Sequence, residues 1–64
     1  VSYETDWHRV AVAALEIYTE DGVKIWMASK NRMLDGRSPD DLIRAGQTQR
    51  VMDYIEFLAE GNFA

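Results

Sequence analysis

No cysteine occurs in these 64 residues, so neither a disulfide nor a thiolate-held metal can staple the chain. The single histidine, His8, is too little for a zinc centre. Proline is nearly absent as well: Pro39 stands alone, and four glycines supply the remaining breaks. Basic residues are outnumbered, with seven Lys and Arg against eleven Asp and Glu, a formal net charge of −4 and a pI near 4.7. Such a chain has no general excess of cations to neutralise phosphates, which argues against nucleic-acid binding by this chain alone. No apolar run approaches the ~20 residues needed to span a membrane. The longest, Val10 to Leu15, is too short, and no segment reads as a signal peptide. The absence of cysteine fits a cytoplasmic protein. The chain opens on Val1 rather than methionine, so a processed or trimmed piece of a longer product is expected.

What is present is apolar substance: 47% of the residues are hydrophobic. A domain this small buries only about 60% of the surface its unfolded chain exposes. It therefore depends on close helix packing or on oligomerisation.

The periodicity predicts an all-α fold, a compact bundle of about four short helices forming one domain. The first segment, 1–18, holds a helix capped at Asp6 and running to about Tyr18. Trp7, Val10, Ala14 and Ile17 form one stripe, and Ala11, Leu15 and Tyr18 a second beside it. So wide an apolar arc marks a largely buried helix. The second helix occupies 19–29, with Thr19 as cap, Glu20 and Asp21 in the first turn, and Val23, Trp26 and Met27 inward. Residues 30–37 read as loop, with Leu34 plugging the core and Asp35-Gly36 turning. In 38–46, Ser38 caps, Pro39 takes the first helical position, Asp41 closes a capping box and Gly46 ends a short third helix. The fourth helix, 47–60, opens at Gln47 or Thr48 and carries the cleanest stripe: Val51, Tyr54, Ile55 and Leu58. Residues 61–64 are a tail.

The stretch Trp26 to Pro39, WMASKNRMLDGRSP, together with Leu42, Gly46, Val51 and the closing Gly61 and Phe63, resembles the toxin-binding domain shared by Xre, MbcA and ParS antitoxins. The resemblance covers roughly Leu15 to Ala64. It departs where Lys30 or Arg32 stands in place of a common loop proline, and where Gln47 and Thr48 replace a common glutamate and glycine. It implies a bacterial type II antitoxin of a toxin-antitoxin system: an inhibitor, not an enzyme. The implied partner is a RES-domain toxin that consumes NAD, with the antitoxin covering the active-site entrance and its C-terminal segment helping to fill it. A homodimer or a higher assembly with the toxin is the expected partnership, with no cofactor and no metal.

The residues expected to touch that partner are Arg37, Arg50, Tyr54, Phe57, Gly61, Asn62, Phe63 and Ala64. Gly61 would act as a hinge and Phe63 as an aromatic anchor; the plainer reading of this tail is a frayed terminus. Trp26, Leu34, Gly36 and Pro39 read as architecture. Arg37 could pair with Asp40 or Asp41 as readily as with a partner. His8 lacks a companion nucleophile or carboxylate pattern, so a helix-face role is the simpler one. Asp40 and Asp41, being adjacent on a helix, diverge and do not form a catalytic pair. Two other functions remain open on the residues alone. One is a DNA-binding autoregulator of the operon, from the two helices around Gly46. The other is a helical homo-oligomerisation module.

Overall fold

Ser2, rather than Asp6, caps the first helix. The Ser2 hydroxyl oxygen accepts the Thr5 N–H at 3.2 Å, which starts the helix one turn earlier than the aspartate would. The computed structural model describes residues 2–61. Within them lie α1 (Tyr3–Ala14), α2 (Glu20–Ala28), a 3-10 turn (Arg32–Leu34), α3 (Pro39–Arg44) and α4 (Thr48–Ala59). The all-α class expected from the sequence is the class the chain adopts. Its only ladder-like feature among the described residues is an isolated antiparallel bridge between Asn31 and Arg37.

The start and stop chemistry is local and legible. In α2, Thr19 Oγ1 accepts the Gly22 N–H at 3.1 Å. A Cβ on Gly22 would lie 3.1 Å from that same oxygen and 3.4 Å from Tyr18 Cβ, so the glycine makes room for the cap. In α3, the Ser38 hydroxyl accepts the Asp41 N–H and the Asp41 carboxylate accepts the Ser38 N–H, completing a capping box. Gly46, at φ +77°, ends α3: its N–H reaches Ile43 O, and the Gln47 N–H reaches Leu42 O. That pair of bonds is a Schellman motif, and it turns the chain directly into α4.

One core joins all the elements. Val10 and Ala14 of α1 meet Val23 and Met27 of α2, Leu34 of the 3-10 turn, Leu42 and Ile43 of α3, and Val51 and Ile55 of α4. Each buried Val, Leu, Ile or Met of this core contributes about 1.5–3 kcal/mol by leaving water. Helix α1 packs against α2, α3 and α4, and α3 packs against α2 and α4. The described chain fits within 29 × 23 × 18 Å.

Two sequence expectations for the first segment give way. The helix stops at Ala14, so Leu15, Ile17 and Tyr18 lie in the turn that follows. Nor is α1 largely buried, because Val12 and Leu15 are 52% and 49% exposed. The displaced Asp6 has a different duty. The Thr48 hydroxyl, buried at the start of α4, donates to Asp6 Oδ2 at 3.0 Å and links α4 to α1. The other Asp6 oxygen has Arg9 at 3.6 Å, an ion-pair distance without a hydrogen bond. Thr48 therefore does not cap α4. Gln47 holds the capping position and makes no side-chain bond there.

Candidate partner-binding face

Asn31 closes the loop between α2 and α3 on itself. Its N–H donates to Arg37 O at 3.0 Å, its carbonyl accepts from Leu34 and Gly36 N–H at 3.0 Å each, and its Oδ1 accepts from Met33 N–H at 2.8 Å. The turn needs two consecutive positive-φ residues, and Asp35 at 59° and Gly36 at 78° supply them. Leu34 points inward and is fully buried, whereas Met33 points outward and is 50% exposed. Each half of the Met33-Leu34 pair thus serves a different side of the loop.

Two contacts set this loop against α4. Arg50 Nη2 donates to Asp35 Oδ2, and Asn31 Nδ2 donates to the Tyr54 hydroxyl at 3.4 Å. The Arg50 hydrogen bond and charge hold the Asp35 carboxyl below its ordinary pKa. Tyr54 in turn stacks on Phe57 with centroids 6.4 Å apart and planes 18° from parallel. Phe57 is 42% exposed. On the α2 side, Tyr18 tilts against Trp26 at 5.8 Å. Burial raises the Tyr18 pKa, and the nearby Tyr54 phenol pushes the same way.

The expected partner residues can now be placed. Arg50, Tyr54, Phe57 and Gly61 fall at spacings of four, three and four, so they follow one line down α4 to its end. Gly61 sits at φ +93° and its N–H caps Leu58 O. The neighbouring line, Gln49, Asp53, Glu56 and Glu60, is polar and acidic, and Gln49 Nε2 donates to Asp53 at 3.0 Å. Arg37 lies exposed at the loop's closing bridge. Among the described residues its side chain forms no ion pair, with Asp40, Asp41 or any other carboxylate. Asp40 is engaged instead by Tyr3 Oη and by Arg44 Nε at 2.8 Å, with the Arg44 guanidinium 4.6 Å from the Tyr3 ring centre. Burial alone would raise the Asp40 pKa, but those two bonds outweigh it and hold the carboxyl low. Asn62, Phe63 and Ala64 lie outside the described residues.

Sequence reasoning passed over Asn31, Asp35 and Met33 as parts of this face. The signal was present in Asn31, since an asparagine two residues before an outward side chain is a common Asx-turn former. Met33 could be assigned outward only once Leu34 had been assigned inward. The face offers apolar and cationic groups for contact, and no cluster of metal-binding side chains occurs among the described residues. No described helix is long and apolar enough to cross a membrane.

The chain is thus a small all-α domain with an aromatic line along its last helix. Comparison with known proteins gives its family. The sequence model of the antitoxin Xre/MbcA/ParS C-terminal toxin-binding domain matches residues 13–61, and the chain belongs to that family. It is 46% identical over 54 residues to the mycobacterial cidal antitoxin MbcA of Mycobacterium bovis, and equally so to MbcA of Mycobacterium tuberculosis. Those alignments cover 84% of this chain and 48% of each relative, so the chain spans about half the length of the curated relatives it matches. No solved structure matches.

Proposed function

We propose that this chain neutralises a toxin by binding it through the loop and α4, and that the toxin is a RES-domain enzyme that consumes NAD. The observation that carries the reading is the continuous line Arg50, Tyr54, Phe57, Gly61, set beside Met33 and Arg37. Aromatic and arginine side chains of this kind are enriched where protein interfaces hold most of their energy. The Arg50–Asp35 pair and the Asn31–Tyr54 bond tie Arg50 and Tyr54 to the loop, which lowers the ordering cost of these two side chains on binding.

In this reading the chain is an inhibitor and not an enzyme, acting in the bacterial cytoplasm. The loop–α4 face covers the toxin's active-site entrance, and residues 61–64 help fill it. Gly61, at φ +93°, ends α4 with its N–H on Leu58 O, and a glycine there gives the tail that follows it a hinge. A complex with more than one copy of each protein suits so small a domain.

Co-expression with the RES-domain toxin tests the proposal. Rescue of growth and recovery of a stable complex are expected. Deletion of residues 61–64 is expected to weaken neutralisation while leaving the helical spectrum intact; full neutralisation by the truncated chain would remove the tail from the mechanism. Failure to bind any RES-domain toxin would end the reading as a whole.

The alternative, DNA binding through α3 and α4, has less support. A recognition helix reads bases with its N-terminal residues. Here Thr48 is buried against Asp6, and Arg50 is paired with Asp35. A promoter gel-shift without salt-sensitive binding would exclude it for this chain.

A further inference from the structure

Among the described residues, the ion pairs take Arg9, Arg44 and Arg50. Lys24, Lys30, Arg32 and Arg37 are left over from the chain's seven Lys and Arg, and three of these four fall within residues 30–37. That loop holds three cations against one carboxylate, whereas the rest of the chain holds four against ten. It is a basic pole on an acidic protein. Lys30, Arg32 and Arg37 are all exposed. The carboxylates nearest to them in sequence are already engaged: Asp35 by Arg50, Asp40 by Arg44 and Tyr3, and Asp41 by the Ser38 N–H. Arg37 acts on Asp35 only as a nearby charge, without an ion pair. Loop closure adds to the crowding, because the Asn31 N–H meets Arg37 O at 3.0 Å and draws the two ends of the cationic stretch together. Like charges brought together without a counter-ion cost stability. Met33, 50% exposed, lies among them in the same loop.

We infer that Lys30, Arg32 and Arg37 meet a rim of carboxylates on the toxin, that Met33 enters an apolar hollow inside that rim, and that the charges set the rate of association. The inference rests on the toxin reading above and gives the chemistry of the surface that the loop contacts. Cations without an intramolecular partner give up no ion pair on docking, so a partner's carboxylates are a net gain to them. Interfaces place such charges at a polar rim around an apolar centre. An unbranched thioether side chain fills an irregular hollow without demanding one shape. A protein surface fits this set better than a nucleic acid does. Phosphates offer Met33 no apolar counterpart, and the ten carboxylates outside the loop repel a polyanion. The same carboxylates turn the loop, rather than the rest of the chain, toward an acidic patch on the partner.

Stopped-flow association of the full chain with the RES-domain toxin, from low to high sodium chloride, tests this. The association rate is expected to fall by about tenfold or more as salt rises. Arg32→Glu and Arg37→Glu should each slow association, together by about tenfold or more at low salt, and should flatten its salt dependence. Lys24→Glu makes the same charge change on α2 and should leave the rate nearly unchanged. Met33→Asp should instead speed dissociation, by about tenfold or more, and Met33→Leu should not. All four positions are exposed, and circular dichroism of each variant separates loss of binding from loss of fold. A complex whose association ignores both salt and the loop reversals would overturn the inference, as would an equal loss from Lys24→Glu or a Met33→Asp complex that dissociates no faster. Binding of random-sequence duplex DNA that the loop reversals abolish, with toxin association untouched, would assign the cations to phosphates and overturn it too. In each of these outcomes the toxin complex still forms. Absence of any complex ends the toxin reading itself and takes this inference with it.

Discussion

Asn31 donates its side-chain amide to the Tyr54 hydroxyl at 3.4 Å while its Oδ1 takes the Met33 N–H at 2.8 Å. The second bond fixes which end of the amide is oxygen, and so makes the first one a donation toward α4. One side chain thereby closes the loop and docks it.

Asn31→Ala removes both side-chain bonds and leaves the Met33 N–H to solvent. A loss of about 0.5–1.5 kcal/mol is expected. It would be read as a lower urea midpoint with an unchanged slope. Fluorescence from Trp26 should report the transition.

Thr48→Val keeps the shape of a buried side chain and removes its donor. Asp6 then loses its hydrogen bond to α4 and retains only Arg9 at 3.6 Å. The expected cost is about 1–3 kcal/mol. Asp6→Ala on the Thr48→Val background should add less than Asp6→Ala alone, and a double-mutant cycle measures that coupling.

Phe57→Ala separates binding from folding. Because the ring is 42% exposed, its truncation is expected to cost far less stability than loss of a core residue such as Leu34. Toxin affinity should fall by about tenfold or more if the ring is an anchor. Isothermal titration alongside a thermal melt distinguishes the two effects.

Stability should depend on pH at both extremes. Asp40 and Asp35 have lowered pKa values in the fold, so the unfolded chain takes up protons first as pH falls. Their contribution is present above about pH 4 and is lost below it. Asp35 is exposed and its share is small. Tyr3 and Tyr18 have raised values, from the Asp40 bond and from burial respectively. Their contribution is present below about pH 10 and is lost as pH rises further. Asp40→Asn should flatten the acid limb of a pH series of thermal melts.

The caps and turns were legible in the sequence because each depends on residues within a few positions. Thr19, Ser38 with Asp41, and Asp35-Gly36 are local bonds that neighbours cannot override cheaply. Leu34 as the plug was legible because it is the one branched aliphatic in a polar stretch. Asp6 misled for the opposite reason. Its sequence neighbourhood suits a cap, but its partner is Thr48, far along the chain, and Ser2 reaches the first turn sooner. Leu15 misled too, since periodicity continues through a stripe whether or not the helix does. On the candidate face, the line from Arg50 to Gly61 follows from helical spacing. The Arg50–Asp35 and Asn31–Tyr54 contacts required knowing that the loop folds back over α4.

The loop assigns its duties to different side chains. Asn31, Leu34 and Gly36 hold its shape from within, and Arg32, Met33 and Arg37 stand outside with no part in that closure through their side chains. A surface built this way can change its outward letters without endangering its own scaffold. Under the proposed binding role, that separation would let the outward contacts be exchanged while Leu34 and the Asn31 bonds keep the loop in place.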